Sequence, residues 1–136
     1  MSLIDLTHEG LDESVEPTVM DAGSEVELMI TSCRVDSTEK GDGEGKYLLP
    51  MFEVVGEPYV KEFSHFMWLP DKEMSPKKLN KAKNDLEKFF RAFDFDYSRP
   101  FDPEDDLPGC KGWAILGVRS DDFGEQNTVR QFVLPK

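Results

Sequence analysis

The feature that most constrains this chain is a single amphipathic helix set among strands. Ser75 offers a hydroxyl to the free amides of a first helical turn, and Pro76 stands where a missing N–H costs nothing and φ is already helical. From there Leu79, Ala82, Leu86, Phe89, Phe90 and Phe93 wind one apolar stripe around a 3.6-residue period. Lys77, Lys78, Lys81, Asp85, Glu87, Lys88 and Arg91 fall mostly on the other side. The spacing predicts a helix over Pro76–Phe93. The three phenylalanines at its C-terminal end, each contributing about 1.5–3 kcal/mol on burial, need an apolar surface to cover them.

The flanking segments predict that surface. Val26, Leu28 and Ile30 alternate with Glu25, Glu27 and Thr31 in a first strand running from Ser24 to Val35. Lys46–Val55 is a second strand, interrupted by Pro50, which donates no ladder bond and belongs at an edge or a bulge. In the third, Tyr59–Leu69, the residues Tyr59, Lys61, Phe63, His65 and Met67 alternate with Val60, Glu62, Ser64, Phe66 and Trp68, so both faces carry aromatic rings. After the helix come an acidic, proline-containing loop (94–108), a fourth strand at Gly109–Arg119 and a fifth at Asn127–Leu134, joined by a turn at Ser120–Gly124. This order predicts a mainly β fold: a five-stranded OB-fold-like Greek-key barrel with one α-helix between strands three and four, plugging the barrel with its phenylalanines. A β-grasp or a flat antiparallel sheet under one helix shares the element order.

The net charge of −12 opposes a polyanionic ligand until its distribution is considered. Residues 1–27 hold eight acids and no Lys or Arg, and residues 94–106 hold six acids with Arg99 alone, so the rest of the chain is close to neutral. Residues 1–22 are expected to form an acidic flexible arm and 23–136 the folded domain. Cys33 and Cys110 lie in apolar segments without a CxxC pair or a His/Cys cluster, which predicts buried thiols rather than a disulfide or a zinc site. Gly41–Lys46 fails as a phosphate loop, because its spacing is one residue short and Tyr47 stands where Ser or Thr should hold magnesium. A calcium loop from Asp36 fails at Lys40 and Tyr47. The carboxylates of residues 102–106 are read as a solvated loop, and with His8 in the arm and His65 in the third strand the inventory for catalysis is thin. No enzymatic activity, cofactor or metal is expected. With neither a signal-peptide pattern nor a membrane-length apolar run, the expected location is cytoplasmic, or the host cytoplasm for a viral product.

The binding candidates are basic and aromatic residues sharing strand faces and loops: Arg34, Lys40, Lys46, Tyr47, Tyr59, Lys61, Phe63, His65, Lys111, Trp113, Arg119, Phe123 and Arg130, with Phe52 as a further ring on strand two. OB-folds stack the bases of single strands on such rings and run the backbone past Lys and Arg. The lysines of the helix, Lys77, Lys78, Lys81, Lys83 and Lys88, are read as a solvated face.

Several segments together carry a resemblance. They are Lys46-Tyr47-Leu48, Phe66-Met67-Trp68-Leu69-Pro70, the helix end Leu86 to Phe93, Asp106-Leu107-Pro108-Gly109-Cys110 and the close Gly124 to Val133. Over residues 24–134 the chain resembles small bacteriophage OB-fold proteins that bind single-stranded DNA or accompany recombination. That resemblance implies sequence-independent coating of single strands during replication, recombination or repair. Implied partners are single-stranded DNA and replication or recombination proteins; no membrane partner is expected, and a homo-oligomer is left open. Proteins of this kind often end in an acidic tail, whereas this chain carries its acid at the front. Two alternatives are an OB-fold protein-interaction module without DNA contact and a phage structural protein.

Overall fold

Residues 2–37 and 45–135 are described by the computed structural model. In chain order they form β1 (Glu25–Ser37), β2 (Lys46–Val54), β3 (Phe63–Ser64), β4 (Met67–Trp68), α1 (Pro76–Ala92), α2 (Pro103–Asp106), β5 (Lys111–Asp121) and β6 (Gly124–Val133), after a short 3-10 turn at Leu11–Glu13. All strands belong to one open antiparallel sheet of order β3-β2-β1-β5-β6, with β4 also paired to β2.

The expected third strand is broken in two, which raises the strand number from five to six. Pro50 supplies the reason. It is fully buried in β2, pairs with Cys33 of β1 on one side, and accepts a hydrogen bond from the His65 N–H on the other at 3.1 Å. A residue's N–H and C=O point to the same side of a strand, so the donor that proline lacks is missing on the third-strand side. Pairing is therefore confined to Met51–Ser64 and Phe52–Phe63 on one side of the break and to Tyr47–Trp68 and Leu48–Met67 on the other. Proline was expected at an edge or bulge; here it sits within a central strand and interrupts that strand's neighbour.

The helix starts as predicted, the Ser75 hydroxyl accepting from the Lys78 N–H at 3.3 Å with Pro76 in the first turn. It ends at Ala92, where Phe93 is the cap and Asp94 turns the chain left-handed at φ 51°. Ala82, Leu86, Phe89, Phe90 and Ala92 are buried, as is Phe93. Phe89 and Phe93 lie 6.2 and 5.5 Å from the ring of Phe52 on β2, and 5.5 and 6.0 Å from Phe132 on β6. The helix thus joins strands from the two arms of the sheet. Gly112 of β5 permits this approach: a Cβ there would stand 2.6 Å from the Ala92 carbonyl and 2.9 Å from the Phe93 ring. The acidic loop, expected to be irregular, contains α2, which Asp102 caps by accepting from the Glu104 N–H at 3.0 Å. A side-chain carboxylate of α2, that of Glu104, also accepts from the Val35 N–H of β1 at 3.4 Å.

The expected 1–22 arm divides at about Thr18. Thr18 forms a parallel bridge with Val60, donating to the Tyr59 carbonyl at 2.9 Å and accepting from the Lys61 N–H at 2.8 Å. Two residues on, Asn127 of β6 holds Met20 by both backbone groups, accepting from its N–H at 2.8 Å and donating to its carbonyl at 2.9 Å. Residues 18–20 therefore form a strap across the seam between the third-strand segment and β6, which are not paired with each other. Before the strap, residues 2–16 lie in solvent apart from the half-buried Gly10, and their hydrogen bonds are local.

Two stability outcomes follow from these contacts. Gly112→Ala should destabilise the fold by about 1–3 kcal/mol, because the added methyl meets helix backbone that cannot yield; denaturant unfolding measures it. Asn127 is buried and also donates to the Gly117 carbonyl at 3.0 Å. Asn127→Ala should cost about 1–3 kcal/mol by leaving these groups unpaired, with faster amide hydrogen exchange at Met20.

Candidate nucleic-acid interface

The bulge in β1 between Ile30 and Ser32 and the register of β2 decide which side chains point away from the core. Leu28, Ile30 and Cys33 of β1 face inward, as do Leu48, Pro50, Phe52 and Val54 of β2. The alternate residues of β2, beginning with Tyr47, Leu49 and Met51, face outward and are half-buried. On the neighbouring segment Phe63 and Met67 point into the core, whereas Ser64, Phe66 and Trp68 point out.

These outward residues build an aromatic platform. The rings of Tyr47 and Phe66 lie 4.6 Å apart at 33°, Phe66 meets Trp68 edge-on at 4.8 Å, and Tyr47 meets Trp68 edge-on at 6.3 Å. Phe66 is 44% and Trp68 38% exposed, so the cluster retains open ring surface despite its mutual contacts. The rings are too close together to admit a cation between them, and their outer faces are what a flat partner can stack on. Arg34, opposite Leu49, and Lys46, beside Tyr47, are exposed at this end of the sheet. The Arg34 guanidinium is 3.9 Å from the Asp36 carboxylate, with both groups largely in water, so the pair holds the arginine weakly.

Of the expected residues, Tyr47, Arg34 and Lys46 belong to the platform. Phe63 does not: it is 3% exposed and packs against Phe52, itself fully buried, so both rings belong to the core. His65 is also displaced from the expected face, lying half-buried with its ring edge-on to Phe132 at 5.4 Å. The expected set had weighted the parity carrying Lys61 and His65, and so omitted Phe66 and Trp68. Their signal was present in Glu62 and Ser64, the polar residues sharing their parity, which mark the solvent side of a half-buried strand.

The other candidates fall elsewhere. Lys61 is half-buried and donates to the Glu125 carbonyl at 3.1 Å, bringing it to the β5–β6 hairpin. Tyr59 is exposed nearby in sequence, and Phe123, 89% exposed, forms the tip of that hairpin beyond the Arg119–Gln126 pair. From Lys61 to Trp68 the chain advances seven residues, at most about 23 Å at roughly 3.3 Å per residue. Lys111 and Trp113 face outward on β5, where Trp113 pairs with Glu27 of β1. Tyr47 pairs with Asp36, nine residues along β1 from Glu27 and at most about 30 Å from it, and among the described residues no ring contact joins Trp113 to the platform. Arg130 is exposed at an irregularity of the β5–β6 pairing. Lys40 lies outside the described residues.

The Cys33 thiol is pushed up to about 12, first by burial and then by the Glu104 carboxylate, and stays protonated. Cys110 was expected to be buried but is half-buried, its thiol raised by burial and by Asp106. Asp105 is raised first by Asp102 and further by the neighbouring acids, so loop 102–106 repels anions. A cleft of ≈ 470 Å³ beside it is lined by Asp94, Phe95, Asp96, Arg99, Pro100, Phe101 and Asp106, a poor surface for a phosphate backbone. Among the described residues no group of three or more His, Cys, Asp or Glu is placed to hold a metal ion, and no helix is long and apolar enough to cross a membrane.

No protein-family model matches the chain, and no curated protein matches its sequence.

His65 makes stability depend on pH. Burial lowers its affinity for a proton, opposed by Asp85 and assisted by Lys81, the two partners of a 2.6 Å ion pair on α1. Because its folded pKa is depressed, the unfolded chain binds the proton more readily, and stability should fall as the pH drops below about 6.5. The loss levels off below the depressed folded value. Urea unfolding between about pH 5 and 7 should show this slope in the native protein and a flatter profile in His65→Gln.

Proposed function

We propose that the chain binds single-stranded DNA without regard to sequence and shields exposed strands during replication, recombination or repair, as a phage protein of OB-fold type. The observation that carries this reading is the outward Tyr47–Phe66–Trp68 platform. Base stacking on aromatic rings contributes about 1–3 kcal/mol per base and is indifferent to base identity. The topology supports the OB assignment. Counting β3 and β4 as one interrupted strand and setting aside the four-residue α2 gives the order β-β-β-α-β-β expected of a partly open barrel, and the phenylalanines of α1 are buried against the sheet. Along the third strand a ligand would pass from Lys61 and the β5–β6 hairpin to the platform beside Lys46 and Arg34.

Titration of the protein with a thirty-nucleotide oligo(dT) at low salt should change tryptophan fluorescence, with an affinity that falls steeply as salt is added. Trp68→Ala should weaken binding by about 1–3 kcal/mol, and Phe66→Ala by a similar amount. Lack of binding, or binding insensitive to both substitutions, would remove this reading.

A second reading, a protein-interaction module without DNA contact, is favoured by the sparse basic charge around the rings, where Arg34 is shared with Asp36. Trp113 and Phe123 also stay exposed, at 48% and 89%, away from the platform. Absence of oligonucleotide binding by the intact chain is the outcome that selects it.

A further inference from the structure

We infer that the tip of the β5–β6 hairpin docks, through Phe123, on the Tyr47–Phe66–Trp68 platform of a second copy of this chain. The contact needs no DNA and goes beyond the DNA reading above. Its first support is the geometry of the tip. Asp122 and Phe123 form the turn closed by the Asp121–Gly124 pair. The Asp121 carboxylate accepts from the Phe123 N–H at 2.8 Å, and Gly124 takes the φ of 106° that favours glycine. Lys61 braces the stem by donating to the Glu125 carbonyl at 3.1 Å. Phe123 thus projects from a fixed base, almost fully exposed and without a ring contact among the described residues. A ring held this way loses little freedom when it docks.

The second support is chemistry. Asp121, Asp122 and Glu125 flank the ring, and residues 120–126 contain no Lys or Arg. Phosphate backbones and anionic lipids repel such a tip, whereas an apolar surface rimmed by bases attracts it. The platform is a surface of that kind. Phe66 and Trp68 keep open ring area, Lys46 makes no ion pair among the described residues, and Arg34 is loosely held by Asp36. Other exposed rings stand beside acids: Trp113 pairs with Glu27, and Tyr97 follows Asp96. Ring on ring, in offset or edge-on contact, adds to what burial alone supplies.

The third support is that the two surfaces do not meet within one chain. The stem is held in the ladder that runs from Asp121–Gly124 to Trp113–Val133, and the rings of the platform contact only one another. A neighbouring copy supplies the missing partner. Because tip and platform are different patches, the contact is heterologous and runs head to tail, leaving a free tip at one end and a free platform at the other. The net charge of −12 on each copy opposes approach from a distance, but at physiological salt the Debye length is about 8 Å, so the groups in contact outweigh the remote ones. With one ring as its anchor the interface is small and the association transient.

Sedimentation equilibrium of the full chain without DNA, followed to millimolar concentration, should show a weight-average mass that rises with concentration. Phe123→Ala and the double variant F66A/W68A should each weaken self-association by about tenfold or more. Unfolding midpoints establish that the variants are folded, and R34E/K46E, which leaves every ring in place, serves if the ring pair is not. Mixing F123A with the platform variant restores one tip on one platform and should give a one-to-one complex that grows no further. A native chain that stays monomeric, association unaffected by Phe123→Ala, or no complex on mixing overturns the contact. Oligo(dT) binding by F123A reports on the DNA reading separately. Binding there with a native chain that stays monomeric keeps the DNA reading and removes the contact, and the expected self-association without oligonucleotide binding does the reverse.

Discussion

The fold depends on four phenylalanines that meet where the sheet fails to close. The terminal strands of the sheet are not hydrogen-bonded to one another, so backbone pairing alone would leave an open, curved surface. Phe52 from β2 and Phe132 from β6 approach to 6.3 Å across that opening, and Phe89 and Phe93 from α1 fill the space between them. Closure is thus achieved by side chains rather than by a ladder. Such packing is sensitive to volume, and Gly112 shows how little room remains where the helix end meets β5.

Much of this architecture was legible in the sequence, because it rests on periodicity and local chemistry. The helix cap at Ser75–Pro76, the inward stripe from Ala82 to Phe93 and the long strands β1, β2, β5 and β6 each carry strong local signals. The third strand was not legible to the same degree. Its break depends on Pro50, sixteen residues earlier than Phe66, and the consequence of a missing donor cannot be assigned to one neighbour until the pairing is known. The facing of Phe63 against Phe66 was ambiguous for a related reason: both parities carry rings, and only burial separates them. The strap escaped notice because its hold comes from Val60 and Asn127, contacts distant in sequence, while Thr18–Met20 itself has no periodic pattern.

Charge and shape divide the surface. The acidic loop and its cleft lie at the end of α1, and α2 within that loop packs along β1. The exposed rings of Phe66 and Trp68 lie on the outward side of β2, next to Lys46 and the weakly engaged Arg34. The acids of the loop and the exposed rings are thus kept on separate parts of the surface.

The strap and the broken third strand have a further consequence for behaviour at high concentration. An open sheet exposes two edges, and long unpaired edges are templates for association with other chains. One edge of this sheet consists of two two-residue segments separated by a break opposite a proline. The other, β6, is covered near Asn127 by Met20 and at Glu125 by the lysine of the third-strand segment, while Phe132 is shielded by His65. The first edge is short and interrupted and the second is partly covered, so both are poorer templates for strand addition than a long straight edge.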